Sequence, residues 1–313
     1  MAAALSRWFG LACVLAALGA GQARAADCPP PLPPLSAAQQ QAAARTAPDR
    51  GLLWTLQRDG RTSYLYGTLH VGKPAWTLPG PRVAAALAAS DTLALEIDPA
   101  DPALHVPPLP AALQARLARR IAAACLAPGA FDGVDPALQV VALGVLEARW
   151  VGLDPAYAQE PALAARERAA GRPVRALESV AMQRALLAPA APDAARAEVE
   201  AGLAELEQDR GRKTIERLAQ AWNHGDLATL ASYERWCGCI HDAADRAQMR
   251  ALNDARNPAL ADGIAALHAQ GLRVFAAVGA LHMTGPQGLP RLLAARGFRV
   301  TRVVFGARAA GAQ

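Results

Sequence analysis

Alternating apolar and polar positions predict a β-hairpin near the start of the folded part of the chain. Two short apolar runs, residues 52–57 and 62–66, flank Arg58-Asp59-Gly60-Arg61. Asp-Gly between two such runs is typical of a tight hairpin turn. Other short apolar runs predict further strands, at 92–97, 173–177, 273–278 and 300–305.

Apolar positions spaced three and four residues apart predict helices between these strands. The predicted helices cover 81–90, 109–124, 135–150, 155–170, 179–188, 192–222, 225–236, 241–254, 258–269 and 287–296. Strands that alternate with helices at both ends of a chain are typical of a parallel sheet covered by helices. The sequence therefore predicts an α/β fold, with a mostly parallel sheet and a helical insertion or cap in the middle of the chain.

The first residues are typical of an export signal. Residues 8–20 form an apolar run that is too short to span a bilayer, and Ala23-Arg24-Ala25 has the small-x-small pattern that signal peptidase cleaves. We therefore expect a signal peptide at 1–25, a Pro-, Ala- and Gln-rich arm at 26–48 and a single domain at 49–308. The expected location is periplasmic or secreted, with no transmembrane segment after cleavage.

Charge adds little to this picture. The chain of 313 residues has a net charge of +5, which falls to +3 when the two arginines of residues 1–25 are removed. The surplus is scattered along predicted helices, as at Arg116, Arg119 and Arg120, and no basic cluster is interleaved with aromatic residues. Such scattering is typical of a solvated surface and argues against nucleic acid as a partner.

Four cysteines remain in the mature chain: Cys28, Cys125, Cys237 and Cys239. An even number of thiols in an oxidising compartment predicts two disulfides. Because a bond between Cys237 and Cys239 would close a very small ring, we expect each of them to pair with Cys28 or Cys125. The alternative is a soft metal site formed by Cys237, Cys239 and His241.

Two Gly-x-x-His motifs lie at opposite ends of the chain, and each follows a predicted strand. The first ends at His70 and the second at His282, while Glu96 and Glu178 likewise end apolar strands. In an open parallel sheet, ligands collect beyond the carboxyl ends of the strands. We therefore expect these four side chains to meet at one edge. The alternative is that each histidine is a hydrogen-bonded structural residue, far from the other.

Such a group of side chains suits metal ligation or acid–base chemistry. The sequence has no Gly-x-Ser-x-Gly elbow, no His-Glu-x-x-His helix and no phosphate-binding loop, which argues against a serine hydrolase, a zincin and a nucleotide enzyme. His105, His224 and His268 lack a comparable context, and we interpret them as surface or helix-face residues.

The stretches around these motifs carry a resemblance to a known family. They are 54–76 with Tyr-Leu-Tyr-Gly-Thr-Leu-His, 92–98, 171–183 with Pro-Val-Arg-Ala-Leu-Glu-Ser, 256–257 and 274–288. In these stretches the chain resembles the TraB/GumN family, close to its YbaP-like bacterial branch. That family is related to the TIKI proteases, which cleave Wnt proteins, and to the pheromone-shutdown proteins. It is more distantly similar to erythromycin esterases and to the ChaN haem-binding proteins.

The resemblance implies that His70, Glu96 and His282 are metal-site or catalytic residues and that Arg256 is a further polar residue of the site. We therefore expect an exported metal-dependent hydrolase, with a peptidase as the narrower possibility. His70 and His282 would bind a divalent ion, and Glu96 would be its third ligand or the base that activates water. Arg256 would hold a substrate carboxylate or the oxyanion, and Glu178 would line the same pocket.

The ion and the substrate stay open at this point. Zinc is the usual ion for two histidines and a carboxylate, whereas the resemblance to the TIKI proteases favours manganese or cobalt. The substrate would be a peptide or a small molecule. A second hypothesis is a periplasmic haem- or metal-binding protein without hydrolytic activity. A third is an accessory envelope protein in which the histidines are only hydrogen-bonded.

Overall fold

A computed structural model of the chain describes residues 28–98, 109–127, 129–189, 191–209 and 211–305. The predicted signal peptide at 1–25 and His105 lie outside these residues. Within the described part of the chain, no helix has both the length and the apolar character needed to cross a membrane.

One six-stranded sheet, in the order β4-β3-β5-β2-β1-β6, forms the centre of the fold. Its strands are β1 (Leu52–Arg58), β2 (Arg61–Thr68), β3 (Thr92–Leu95), β4 (Val174–Ala176), β5 (Val274–Gly279) and β6 (Arg299–Val303). The neighbours from β4 to β2 run parallel, whereas β1 is antiparallel to both β2 and β6. The predicted α/β fold with a mostly parallel sheet is confirmed.

The β1–β2 hairpin forms where Asp-Gly predicts it. Asp59 has φ +51° and Gly60 has φ +70°, so both turn positions lie in the left-handed region. Two such residues are what a two-residue turn of this handedness requires, and Arg58 therefore pairs directly with Arg61.

Thirteen α-helices lie in the described residues. They are α1 (Ala37–Thr46), α2 (Pro81–Ala88), α3 (Ala111–Ala123), α4 (Pro136–Leu146), α5 (Gln159–Ala169), α6 (Val180–Leu187), α7 (Pro192–Leu206), α8 (Gly211–Asn223), α9 (Leu227–Ala231), α10 (Tyr233–Trp236), α11 (Ala243–Leu252), α12 (Asn257–Ala269) and α13 (Leu289–Ala295). The helix predicted over 192–222 is instead two helices, because Asp209 adopts a left-handed conformation with φ +51° that an α-helix cannot contain. The predicted loose arm contains α1, which begins with a capping box at Ser36 and has no buried residue.

The described residues form two hydrophobic cores. The larger surrounds the sheet and includes Leu65, Leu93 and Phe275. The smaller lies mainly among α3, α4, α6 and α7, which we call the helical lobe. These helices lie in the chain between β3 and β5, as the predicted insertion does.

The cysteines form two disulfides, Cys28–Cys125 and Cys237–Cys239. The predicted pairing of Cys237 and Cys239 with Cys28 or Cys125 is therefore wrong. Gly238, with φ +66°, lets the chain reverse direction between its neighbours. Their Cα atoms consequently lie 5.2 Å apart, which is an ordinary separation for a disulfide.

The alternative metal site of Cys237, Cys239 and His241 also lacks its donors in this structure, because both thiols are bonded to each other. The ring of His241 instead lies beside a carboxylate of the helix that follows it, α11, with 3.2 Å between His241 Nδ1 and Asp245 Oδ2.

Candidate functional site

The two Gly-x-x-His motifs begin on neighbouring parallel strands. Thr68 at the end of β2 is level with Gly279 at the end of β5. The chain therefore leaves both strands at the same edge of the sheet, and His70 and His282 follow there.

The glycines of the motifs allow close approach rather than an unusual turn. A Cβ on Gly67 would lie 3.3 Å from Ala280 Cα and from Met283 Cγ. A Cβ on Gly279 would lie 3.2 Å from Glu96 Oε1, and Gly279 has φ −47°, which any residue can adopt. A side chain at either position would therefore require the neighbouring groups at the strand ends to shift.

The two carboxylates leave the next pair of parallel strands. Glu96 follows β3 and Glu178 follows β4, and the Glu178 N–H donates to the Glu96 carbonyl oxygen at 2.7 Å. One oxygen of the Glu96 carboxylate also accepts from the Gly279 N–H at 2.8 Å, which ties β3 to β5 beyond the last paired residue.

Arg256, directly before α12, lies between these carboxylates. Its Nε is 3.1 Å from each carboxylate oxygen of Glu178, and its Nη2 donates to both Glu96 and Glu178. Its Nη1 donates to the Leu252 carbonyl oxygen at 2.9 Å and lies 3.4 Å from His282 Nε2. We call Glu96, Glu178, Arg256 and His282 the edge cluster, and all four residues are buried.

Charge pairing keeps the Glu96 carboxylate ionised. Burial alone would raise the pKa of Glu96, but its charged surroundings, with Arg256 as the largest lowering influence, outweigh burial and lower that pKa to about 2. For Arg256, burial works to lower the pKa, and the two glutamates reverse this effect and raise it. The guanidinium is therefore engaged by two carboxylates of the protein itself.

His282 is held as a neutral ring in one tautomer. Its Nδ1 lies 2.5 Å from Asn257 Oδ1, while Asn257 Nδ2 donates to the Gln287 carbonyl oxygen at 2.8 Å. Since the amide nitrogen of Asn257 is committed there, its oxygen accepts and His282 Nδ1 carries the hydrogen. Burial, opposed by Glu96 but reinforced by Arg256 and His70, lowers the pKa of His282 to about 3. Its Nε2 therefore keeps a lone pair, 3.9 Å from Glu96 Oε1.

His70 has a different partner. Its Nδ1 lies 3.1 Å from Oε1 of Glu160, which is in the first turn of α5, and Thr68 Oγ1 donates to the same oxygen. Burial works to lower the pKa of His70, but Glu160 reverses this effect and, with Glu96, raises it. The two histidines of the repeated motif thus have pKa values moved in opposite directions.

Two residues of this region were missed by sequence reasoning. Glu160 has no motif around it, and only its place in a first helical turn marks it. Gln183 on α6 donates its Nε2 to Glu96 Oε2 and to Glu178 Oε2, at 3.1 Å each. The helical lobe thus supplies a donor to the carboxylates of the edge cluster.

The predicted three-ligand metal site would consist of His70, Glu96 and His282. Among the residues that the structure describes, no group of three or more His, Cys, Asp or Glu side chains could hold a metal ion. Arg256 contacts Glu96 and approaches His282, so a positive charge already lies between two of the expected ligands. The ring of His70 pairs with Glu160. As arranged, these residues do not fit a three-ligand site.

The histidines expected outside the site differ from one another. His224 is exposed and its Nδ1 bonds to the Gln220 carbonyl oxygen. His268 is instead fully buried, where its Nδ1 lies 2.8 Å from Ser63 Oγ and its Nε2 lies 3.0 Å from the Arg58 carbonyl oxygen. His268 is therefore a core residue with both ring nitrogens bonded.

Comparison with known proteins adds one finding that concerns most of the chain. The sequence model of the TraB/PrgY/gumN family matches residues 52–302, which reach from the first strand into the last and include the edge cluster. No curated protein and no solved structure matches the chain.

Proposed function

The chain belongs to the TraB/PrgY/gumN family, and on that premise we propose that it is a hydrolase whose active site is formed by His70 together with the edge cluster. The observation that carries the proposal is the meeting of Glu96, Arg256 and His282 just beyond the carboxyl ends of parallel strands. Open α/β sheets bind their ligands in this position.

His70 is the proposed general base. A base that works near neutral pH needs a pKa close to that pH. Glu160 and Glu96 raise the pKa of His70 against the effect of burial, whereas the pKa of His282 falls to about 3. Active sites often contain two titratable groups whose environments shift their pKa values in opposite directions, so that each group has a different acid–base role. His282 stays neutral, so it does not compete with His70 for the proton of the attacking water.

The proposed step is attack of water on the carbonyl carbon of an ester or amide. The water oxygen forms the new C–O bond while one of its protons passes to His70 Nε2. The bond to the leaving group then breaks, and the leaving group takes that electron pair and the proton from His70. The products are a carboxylic acid and an alcohol or amine. Glu96 and Glu160 stabilise the imidazolium that exists between the two proton transfers.

A peptide is the narrower substrate proposal, and its support is the resemblance to the TIKI proteases. No contact in the edge cluster is specific for a peptide over another acyl compound. The test below therefore offers both kinds of substrate.

Assistance by a divalent ion is the second form of the proposal, with manganese, cobalt or zinc as the candidates. His282 Nε2 and Glu96 Oε1 lie 3.9 Å apart, a separation that two ligands of one ion at about 2.0–2.2 Å can span. Because the present arrangement supplies two donors rather than three, we assign no step of the reaction to an ion.

The test is hydrolysis by the mature protein of a defined peptide mixture, read by mass spectrometry, and of nitrophenyl esters, read by absorbance. Each reaction is run with EDTA and, separately, with manganese, cobalt or zinc. We expect cleavage that is lost in His70→Ala and His282→Ala but kept in His224→Ala, since the exposed His224 lies outside the site. Cleavage in EDTA supports the acid–base form, and cleavage only with an added ion supports the second form.

Two results would contradict the hydrolase. One is the absence of cleavage in every reaction, and the other is cleavage that survives both site substitutions. A Soret band in the purified protein that disappears in His282→Ala would instead support the haem-binding hypothesis.

We also propose that the protein is exported to the periplasm or secreted. The support is the predicted signal peptide at 1–25 together with the two disulfides, because disulfides form and persist in oxidising compartments.

A further inference from the structure

We propose that Glu160 is a positioning residue that fixes the tautomer and the ring orientation of His70. This inference rests on the proposed function, in which His70 is the general base. Glu160 would act only through His70, since the contacts of its carboxylate in this region are to His70 and Thr68.

The geometry of the carboxylate supports this role. Glu160 is buried, and one oxygen, Oε1, is shared by the His70 ring and by the Thr68 hydroxyl. Thr68 is the last residue of β2, only two positions before His70. The hydroxyl therefore holds the carboxylate at a fixed place relative to the strand end from which the histidine leaves.

The backbone beside His70 is held by the same helix. Gln159, the first residue of α5, accepts from the Leu69 N–H at 2.9 Å, and the Gln159 N–H donates to the Leu69 carbonyl oxygen at 3.2 Å. Two consecutive residues of α5 thus fix the main chain and the ring of the first Gly-x-x-His motif. The Glu160 carboxylate therefore does more than balance a buried charge. Together with Gln159, it attaches the motif to α5 at two points, the His70 ring and the Leu69 main chain.

The consequence for chemistry follows from what a carboxylate can do. An ionised carboxylate only accepts hydrogen bonds, so Glu160 Oε1, 3.1 Å from His70 Nδ1, favours the tautomer that carries its hydrogen on Nδ1. In the neutral ring the lone pair is then on Nε2, the nitrogen that the proposed reaction uses. Asn257 selects the same tautomer for His282, so both motif histidines would present Nε2 as their basic nitrogen.

The test reads the tautomer directly and needs no substrate. The mature protein, labelled with 15N in its histidine rings, is compared with Glu160→Gln by ring-nitrogen NMR at alkaline pH, where imidazole rings are neutral. The His70 signals are identified by their loss in His70→Gln. We expect His70 to carry its hydrogen on Nδ1 in the wild type and to change to a mixture or to the opposite tautomer in Glu160→Gln.

The matched control is Glu167→Gln. Glu167 is a second buried carboxylate on α5, but it pairs with Arg172 and not with a histidine. This variant should keep the wild-type tautomer of His70. In the hydrolysis assay, Glu160→Gln should lower kcat at least about tenfold with little change in KM, because a disordered base loses part of a contribution of roughly 10²–10⁴. Glu160→Asp, which restores a carboxylate that can only accept, should recover part of the loss.

The outcomes separate the inference from the proposed function. A changed tautomer in a protein without hydrolytic activity would support positioning by Glu160 and contradict the hydrolase. An unchanged tautomer in Glu160→Gln would overturn the inference even if the protein is an active hydrolase. If Glu160→Gln does not fold, Thr68→Val is measured in its place. It removes the hydroxyl that holds the carboxylate, and an unchanged tautomer there would equally overturn the inference.

Discussion

Replacing Arg256 with methionine should strongly destabilise the protein, because it removes the one cation between two buried carboxylates. Methionine retains much of the length of the side chain, so the main change is the loss of charge and of donors. Glu96 and Glu178 would then lie beside each other in the protein interior without the guanidinium that contacts both of them.

The magnitude can be worked from Glu96. Its pKa is lowered from the ordinary value of 4.5 to about 2, although burial alone would raise it, and Arg256 is the largest of the groups that lower it. A difference of one in pKa corresponds to about 1.36 kcal/mol, so the favourable interactions of ionised Glu96 contribute roughly 3 kcal/mol. Breaking a buried ion pair from one side typically costs about 3–5 kcal/mol. We expect the same range for Arg256→Met.

The effect should depend on pH in a definite direction. In the wild type, the contribution of Glu96 is present above its ordinary pKa of 4.5 and is lost as the pH falls toward 2. In Arg256→Met, burial of Glu96 is no longer opposed by the guanidinium, so the folded-state pKa of Glu96 rises and the variant loses stability as the pH rises. The gap between the two proteins should therefore be wide at neutral pH and narrow below pH 4.5.

The assay is urea unfolding of both proteins at neutral pH and at a series of acidic pH values. The control is Arg273→Met, which breaks an ion pair with Asp91 that is largely exposed. It should cost less than about 1 kcal/mol. A cost for Arg256→Met no larger than that of the control, or a gap that widens on acidification, would refute the reasoning.

Three further predictions concern other parts of the chain. Cys28→Ser with Cys125→Ser should lower the free energy of unfolding by roughly 2–5 kcal/mol, since their disulfide closes a loop with a sequence separation of 97; an unchanged urea midpoint would contradict this. Gly279→Ala should lower the free energy of unfolding by about 1–3 kcal/mol in the same assay, because the added Cβ would lie 3.2 Å from Glu96 Oε1. An unchanged free energy of unfolding would contradict this and show that Glu96 can shift at little cost. Intact-mass measurement of exported protein should find Ala26 as the first residue; a retained signal, or a lipid mass on Cys28, would contradict that.

Much of the fold could be predicted because its signals are local. Asp59-Gly60 predicts the hairpin through the backbone angles that its turn requires, and buried parallel strands appear as short apolar runs. The position of His70 and His282 at one edge follows from the same logic, since each lies two or three residues beyond the end of a strand. These features need only a few neighbouring residues to be recognised.

The partners of these residues could not be predicted in this way. Glu160 lies 90 positions from His70 in the chain, and Gln183 lies 87 positions from Glu96, with no periodic pattern that joins them. Their contacts depend on how α5 and α6 pack against the sheet.

The disulfide pairing failed for a different reason. The small ring of Cys237 and Cys239 argues against their bond only if the residue between them has an ordinary conformation. Gly238 does not, and its left-handed φ is visible only in the structure.

Because Gln183 contacts the edge cluster, the stability of the site depends on the helical lobe that carries Gln183. Gln183 lies one turn before Leu187, which is in the core of the lobe, and the Leu252 carbonyl that accepts from Arg256 belongs to another residue of that core. If the lobe opens locally while the sheet stays folded, water reaches the two carboxylates and the guanidinium, and their mutual attraction weakens. The rate of amide hydrogen exchange along α6 is therefore a measure of how often the lobe opens and water reaches the edge cluster.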